Sequence, residues 1–478
     1  MKKQIVSGAT WSFFGRLGFL SISLITNIWL ARLLTPNEFG QVSIIMFFIT
    51  LANILTESGL GGALIRKKDA SLVDYSTVFV INLAISCLCF IVCLCIAGPL
   101  SIYYGDSELK NLLIVSAFIL IIRAFQLTQT TRLTSLMKFK EQNIYRIISL
   151  LVSSVIGIIL AYRGFGVWSL VIIQLLTGLI NTIILWFSEG FFLKFQFSKI
   201  SFKELYGFGI NTTLASFLNI SFENIYQLIL AKYFSITQTG LYYQAKKLQE
   251  VPGGVLNMLT QGVIFSGLSE YQNDKVEFLN KYHKVTLYML VFMGFISGFI
   301  FIYSKPIILI LYGDKWTGAV LYMQILTVAS FFQIQEYVNR VIFKVFDRTK
   351  EILFLEIFKK FIQFVGIIIG IYFRDVFILL IGFVITNIIG YFLNFYYSRQ
   401  ILGKLDFHEI LLILKILAIS IISVLTVVSL NNCLHFENIF VLFSIPIFLI
   451  FYILGIVLLK IMDIKSEFRS IIKMYNKK

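Results

Sequence analysis

The sequence predicts an all-α integral membrane protein, and three observations carry that prediction. Of 478 residues, 58% are hydrophobic and only 14% are charged. Mean hydropathy is +0.86. The apolar residues also fall into runs of about 20 between charged breaks, the length needed to cross a hydrocarbon core. A soluble chain carries about 45–50% apolar and about 25% charged residues, so a soluble enzyme is excluded.

Taken in order, fourteen runs qualify: 10–34, 41–65, 76–98, 111–131, 143–162, 166–187, 206–231, 241–265, 284–303, 318–343, 352–373, 376–398, 410–430 and 438–459. The first follows MKKQIVSGATWSFFG and is too long for a signal-peptide core, so it is expected to be retained as a span. With the N-terminus in the cytoplasm, Lys and Arg collect several-fold in loops on the cytoplasmic side, as the positive-inside rule requires. Both termini are therefore expected in the cytoplasm. The net charge of +16 is explained by that bias, and no nucleic-acid-binding module fits the chain.

Internal repetition follows. Tyr104-Gly105-Asp106 before the fourth span is echoed by Tyr312-Gly313-Asp314 before the tenth. Gly40 is echoed by Gly240, and the Arg163-Gly164 turn by Arg374-Asp375. Each pair lies roughly two hundred residues apart. The pattern predicts two six-helix lobes in parallel pseudo-two-fold repeat, 1–195 and 196–400, joined by a cytoplasmic connector at 188–204. Residues 401–478 would add spans thirteen and fourteen and a cytoplasmic tail.

Ionisable groups inside a bilayer are costly and mark function. Span one carries Ser12, Arg16, Ser23 and Asn27 on one face; span two Thr50, Asn53 and Glu57; span four Arg123, Gln126 and Thr130. Span seven carries Thr212, Ser216, Asn219, Glu223 and Gln227. Span eight carries Lys246, Lys247, Glu250, Asn257 and Gln261, and span ten Gln333, Glu336 and Arg340. Spans one, two and four answer seven, eight and ten under the repeat. Stripes on matching helices are expected to face a shared central cavity, although Ser, Thr and single Asn residues also serve as interhelical hydrogen-bond glue.

Arg16, Arg123, Lys246, Lys247 and Arg340 are the candidate cations for an anionic headgroup, for which arginine offers forked donors. The candidates for polar lining and ion coupling are Asn27, Asn53, Glu57, Gln126, Asn219, Glu223, Glu250, Asn257 and Glu336. Glu57 and Arg340 lie near span ends, where interfacial solvation competes with a cavity role. Glu356, Lys359 and Lys360 are expected on an exposed cytoplasmic turn. Pro252-Gly253-Gly254 predicts a kink or hinge in span eight.

Cofactor chemistry finds no support. Cys87, Cys89, Cys93 and Cys95 share one apolar run without nearby His or carboxylate and are expected to pack, and Cys433 has no partner for a disulfide. No Gly-rich loop ends in Lys-Ser/Thr. His283, His408 and His435 are expected in loops, forming no metal pair and no intramembrane relay. The longest outer loop, 303–317, holds Asp314 as its one carboxylate. That leaves almost nothing to place a glycosyltransferase or polymerase site.

Residues 30–69 contain LLTPNEFG and SGLGGALI followed by basic residues. With Pro99-Leu100 through Leu109 and the Thr239-Gly240-Leu241-Tyr242 turn, these segments resemble the polysaccharide flippases of the multidrug/oligosaccharidyl-lipid/polysaccharide exporter superfamily, in particular the Wzx-like O-antigen and teichuronic-acid-type branch. The resemblance implies two lobes in a V around a cavity, working by alternating access. It implies an undecaprenyl-pyrophosphate-linked oligosaccharide as substrate, moved across the bacterial cytoplasmic membrane, often with ion coupling. Membrane lipids and the polysaccharide polymerase or export machinery are the implied partners. Arg16 is placed similarly to the diphosphate-binding arginines on the first span of the related lipid II flippase, although the local motif differs. A cation-coupled drug or metabolite antiporter of the same fold is the alternative.

Overall fold

The computed structural model describes residues 2–57, 59–67, 69–189, 194–403, 407–434 and 438–462. Among them every regular element is helical. In chain order these are α1 (Lys2–Leu33), α2 (Pro36–Glu57), α3 (Leu60–Arg66), α4 (Leu72–Tyr104), α5 (Glu108–Ser135), α6 (Phe139–Tyr162), α7 (Trp168–Glu189) and α8 (Lys199–Tyr233). Then come α9 (Ile236–Leu259), a π-helical turn (Thr260–Ile264), α10 (Phe265–Ser269), α11 (Lys275–Leu311), a 3-10 turn (Asp314–Trp316), α12 (Ala319–Val345), α13 (Thr349–Phe373) and α14 (Val376–Leu402). The chain closes with α15 (His408–Leu434), a 3-10 stretch (Asn438–Ser444) and α16 (Ile445–Leu458).

Among the described residues, ten helical stretches are long and apolar enough to cross a membrane, so the chain is a multi-pass membrane protein. The long helices α8, α9, α12 and α13 are not among the ten, and the last three are marked by clustered charges. These carry Lys246, Lys247 and Glu250, then Glu336 and Arg340, then Glu356, Lys359 and Lys360. In α12 and α13 that polarity reflects ion pairs made inside the protein, as described below.

Helices begin and end where local chemistry dictates. Ser71 and Asp74 form a reciprocal capping box on α4. Asp274 caps α11 by accepting from the amides of Val276 and Glu277, and Asp375 caps α14 in the same way. One expectation fails here. The outer loop placed at 303–317 is largely helix, because α11 runs on through Pro306 to Leu311.

Three pairs of turns share one device. The turn after α4 holds Gly105 at φ 70 and that after α11 holds Gly313 at φ 93. Met137 after α5 and Asp347 after α12 stand at φ 56 and φ 54, and Gly164 after α6 and Arg374 after α13 at φ 83 and φ 51. In each left-handed turn, amides fold back onto the last helical carbonyls, such as Lys138 N to Leu133 O at 2.9 Å and Arg348 N to Phe343 O at 2.7 Å.

The chain divides into two compact units, Met1–Tyr243 and Gln244–Lys478, with the boundary inside α9. In the first, α3, α4 and α8 bury Leu64, Val78, Phe79 and Leu205 against Phe125 and Trp186. The indole of Trp186 donates to the Phe125 carbonyl at 2.9 Å. Here too α2 and the first turns of α9 cross with backbone in contact. A Cβ on Gly240 would lie 1.8 Å from the Pro36 carbonyl oxygen, and one on Gly40 would lie 2.0 Å from that of Ile236. In the second unit α12 is buried along nearly its whole length among α11, α14 and their neighbours. Tyr282, Leu290, Val338, Tyr391, Ile416 and Tyr452 belong to that core.

Candidate functional site

In the first unit, small residues set the register of the helices that carry charge. At Gly15 of α1 a Cβ would meet the Asn143 side chain at 2.3 Å, and at Gly18 it would meet Ile147 at 3.3 Å. α6 therefore lies close on α1, with the Asn143 amide donating to the Trp11 carbonyl at 3.4 Å. One turn on, the Arg146 guanidinium stacks over Phe19, 3.7 Å from the ring centroid. Arg146 lies within the electrostatic reach of both Arg16 and Arg123. Arg123 in turn feels Glu57 at the end of α2. All four side chains are exposed. None of the three arginines lies within ion-pair distance of a carboxylate among the described residues.

Three guanidinium groups gathered on apolar helices repel one another. Water or an anion must compensate them, because hydrocarbon cannot. Arg146 was not among the predicted cations. It stands two turns into α6, whose start at Phe139 places it well inside the helix. The predicted partners nearby take different positions: Asn27 and Asn53 are buried, Gln126 is half-buried, and the Asn53 Oδ1 has no hydrogen bond. Asn219 and Glu223 on α8 are exposed.

In the second unit, α9 carries Lys246, which pairs with Glu250 at 3.6 Å, and Lys247, which shares the field of that carboxylate. The next turn holds Pro252, Gly253 and Gly254. The helix continues through them to Leu259 and loosens into the π turn only at Thr260. A Cβ at Gly254 would meet open space, and one at Gly253 only Gln249 at 3.9 Å, so packing does not require either glycine. The Oδ1 of Asn257 is buried without a hydrogen bond.

Glu336 and Arg340 are brought together, and with them residues expected elsewhere. The fully buried Glu336 carboxylate accepts from Arg340 and, at 2.6 Å, from the Lys359 ammonium. Lys359 also donates to Asn387 at 3.1 Å, and Arg340 bonds Glu356 at 2.6 Å. Lys359 and Glu356 thus lie in a buried four-charge network between α12 and α13, not on an exposed turn. Gly390 of α14 makes room for it, since a Cβ there would stand 3.0 Å from Glu336 Oε2 and 3.1 Å from the Lys359 stem. Complementary charges four and three residues apart on successive helices, Glu336/Arg340 and Glu356/Lys359, were the signal available in the sequence.

A second buried group was missed altogether. Glu409, at the start of α15, pairs with Arg399 and accepts from Tyr391 at 2.9 Å, Asn339 at 3.0 Å and Tyr282 at 3.2 Å. The histidines also depart from expectation. His283 lies within α11 and His408 opens α15, with ring centroids 6.3 Å apart. His435 lies outside the described residues.

Comparison with known proteins places this geometry. Residues 29–321 match the family model described as "Polysaccharide biosynthesis protein". The chain belongs to the polysaccharide biosynthesis protein family. Within it, the chain is 24% identical to the succinoglycan biosynthesis transport protein ExoT of Rhizobium meliloti, over 66% of this chain and 64% of that one, just under two thirds of ExoT's length. It is 21% identical to the lipopolysaccharide biosynthesis protein WzxC of Escherichia coli, over 84% of this chain and 83% of that one. It is 23% identical to the teichuronic acid biosynthesis protein TuaB of Bacillus subtilis, over 70% and 69%. The fold of this polysaccharide biosynthesis protein is that of the lipid II flippase MurJ, with a TM-score of 0.73 at 16% identity, covering 94% of this chain and 98% of that one. A transporter of the multidrug and oligosaccharide exporter superfamily from Pyrococcus furiosus gives 0.51 at 16% identity, over 84% and 97%. ExoT is named as a transport protein, MurJ as a flippase and the Pyrococcus furiosus protein as a transporter.

Proposed function

We propose that this polysaccharide biosynthesis protein is a flippase. It would move undecaprenyl-pyrophosphate-linked oligosaccharide repeat units across the bacterial cytoplasmic membrane by alternating access. The observation that carries the reading is the gathering of Arg16, Arg123 and Arg146 on three apolar helices, exposed and, among the described residues, beyond ion-pair distance of any carboxylate. A diphosphate supplies the two or more negative charges such a group lacks, and guanidinium forks bind its oxygens bidentately. The names of the relatives, which concern succinoglycan, lipopolysaccharide and teichuronic acid, support a glycan as the polar cargo.

Fourteen spans, arranged as two six-helix lobes plus two further helices with both termini in the cytoplasm, complete the proposal. The paired left-handed turns support such a repeat. Among the candidate coupling carboxylates Glu57 is best placed, since it shares the field of Arg123 without an ion pair of its own, whereas Glu336 is held by two cations. Lys246, Lys247 and Arg340 are proposed as further lining cations, and Pro252, Gly253 and Gly254 as the hinge. The test uses cells that depend on this gene for surface polysaccharide. Arg16→Ala and Arg123→Ala are expected to lower surface glycan at normal protein abundance, and wild-type glycan in both would discard the reading.

A further inference from the structure

We infer that the second unit holds a separate site for a phosphate-bearing anionic group, the headgroup of an anionic phospholipid, at the start of α15. A cavity of about 240 Å³ opens there between α11 and α15, lined by His283, Lys284, Thr286, His408 and Glu409. Two histidines and a lysine thus line one small space. The buried Thr286 hydroxyl also lines the cavity.

Glu409 does not oppose an anion here. Its carboxylate is already engaged by Arg399, Tyr391, Asn339 and Tyr282. Arg399 and Glu409 cancel each other's charge, so the wall behind the cavity is neutral and the basic groups of its lining set its sign.

The position of the cavity along the helices selects the ligand. After Lys284, α11 carries no charged residue until Lys305. His408 is the first residue of α15, and Ile461, which also touches the cavity, stands just past the end of α16 at Leu458. Three apolar segments therefore begin or end at this level, where lipid phosphates lie. One and two turns further along α15, Leu411 and Leu414 are exposed and offer apolar surface to an acyl chain.

This site shares no residue with the arginine group and does not rest on the flippase reading. The test measures lipid retention and thermal stability of the purified full-length protein with phosphatidylglycerol, phosphatidylcholine and inorganic phosphate as probes. Phosphatidylglycerol is expected to be retained at one tight site and to raise Tm, with phosphatidylcholine far weaker. Combining His283→Gln, Lys284→Gln and His408→Gln should weaken retention about tenfold or more. Lys284 and His408 are exposed, so the combined variant should fold, and its Tm without lipid is measured alongside. A Tm rise with inorganic phosphate that is lost in the combined variant would support the same site with free phosphate as its occupant. Equal retention by wild type and the combined variant, or no response to any probe, would overturn the inference.

Discussion

The two units treat charge in opposite ways. In the first, Arg16, Arg123 and Arg146 stand exposed on α1, α5 and α6, and their charges act on one another. In the second, Glu336, Arg340, Glu356 and Lys359 are tied into a buried, charge-balanced network across α12 and α13, with α14 supplying Asn387 and Asn394. A paired network holds helices together and has little affinity to spare for a ligand. An uncompensated cluster contributes nothing to folding and is available to an anion. Ionisable residues of the same sort, read off neighbouring positions of the same kind of helix, therefore divide into ion-paired and unpaired groups only once their partners are known.

That division can be broken, and the largest effect should come from the network. Glu336→Leu leaves Lys359 and most of Arg340 buried without their shared carboxylate, which costs about 3–5 kcal/mol. Thermal unfolding in detergent should show a large drop in Tm, partly restored when Lys359→Met is added. If the single variant unfolds like wild type, the network is not structural.

Next is the α2–α9 crossing. Gly240→Ala places a methyl group against the Pro36 carbonyl, a backbone atom that cannot swing away. The expected loss is about 1–3 kcal/mol or more. Gly254→Ala, where a Cβ meets open space, serves as the control and should cost little stability.

Arg123→Ala sharpens the contrast from the other side. Its Tm should stay close to wild type, while transport of the lipid-linked glycan falls about tenfold or more, equivalent to roughly 1.4 kcal/mol of lost interaction. A variant that loses stability in proportion to transport would move Arg123 into the structural group.

The smallest effect belongs to Lys67, which bridges Glu204 of α8 at 2.9 Å and Asp74 of α4 at 3.0 Å near the surface. Hydrogen bonds to Glu204 and then Asp74 raise its pKa above the ordinary lysine value. A raised folded value means the bridge stabilises fully below about pH 10.4, the unfolded lysine value, and is lost as pH climbs through the folded one. Lys67→Met should cost under about 1 kcal/mol at neutral pH, and the difference from wild type should vanish only in strong alkali.

Much of this was legible in the residues. Hydropathy located the helices well: 143–162 became Phe139–Tyr162, and 352–373 became Thr349–Phe373. The span at 284–303 became Lys275–Leu311, because an apolar run marks only the part suited to hydrocarbon while the Asp274 cap starts the helix earlier. Partnerships were harder to read. Lys359 looked exposed because Lys360 and Glu356 flank it, yet a helix turns neighbours to different sides, and Lys359 faces α12. Glu409 and Arg399 fall just outside the spans read at 376–398 and 410–430, so neither was considered as an intramembrane charge. Their burial depends on Tyr282 and Tyr391, which come from distant parts of the chain. Arg146 fell inside the span read at 143–162 but was missed because it stands near the start of that run, beside the loop-like charges of KFKEQNIYR, whereas the helix begins earlier, at Phe139.

The central claim is that the arginines of α1, α5 and α6 recognise a diphosphate. It is tested most directly by binding undecaprenyl diphosphate and undecaprenyl monophosphate to the purified protein, with and without Arg16→Ala, Arg123→Ala and Arg146→Ala. The account predicts clear preference for the diphosphate in wild type and loss of that preference with each substitution. Equal affinity for the two lipids in wild type, or a preference that survives all three substitutions, would contradict it.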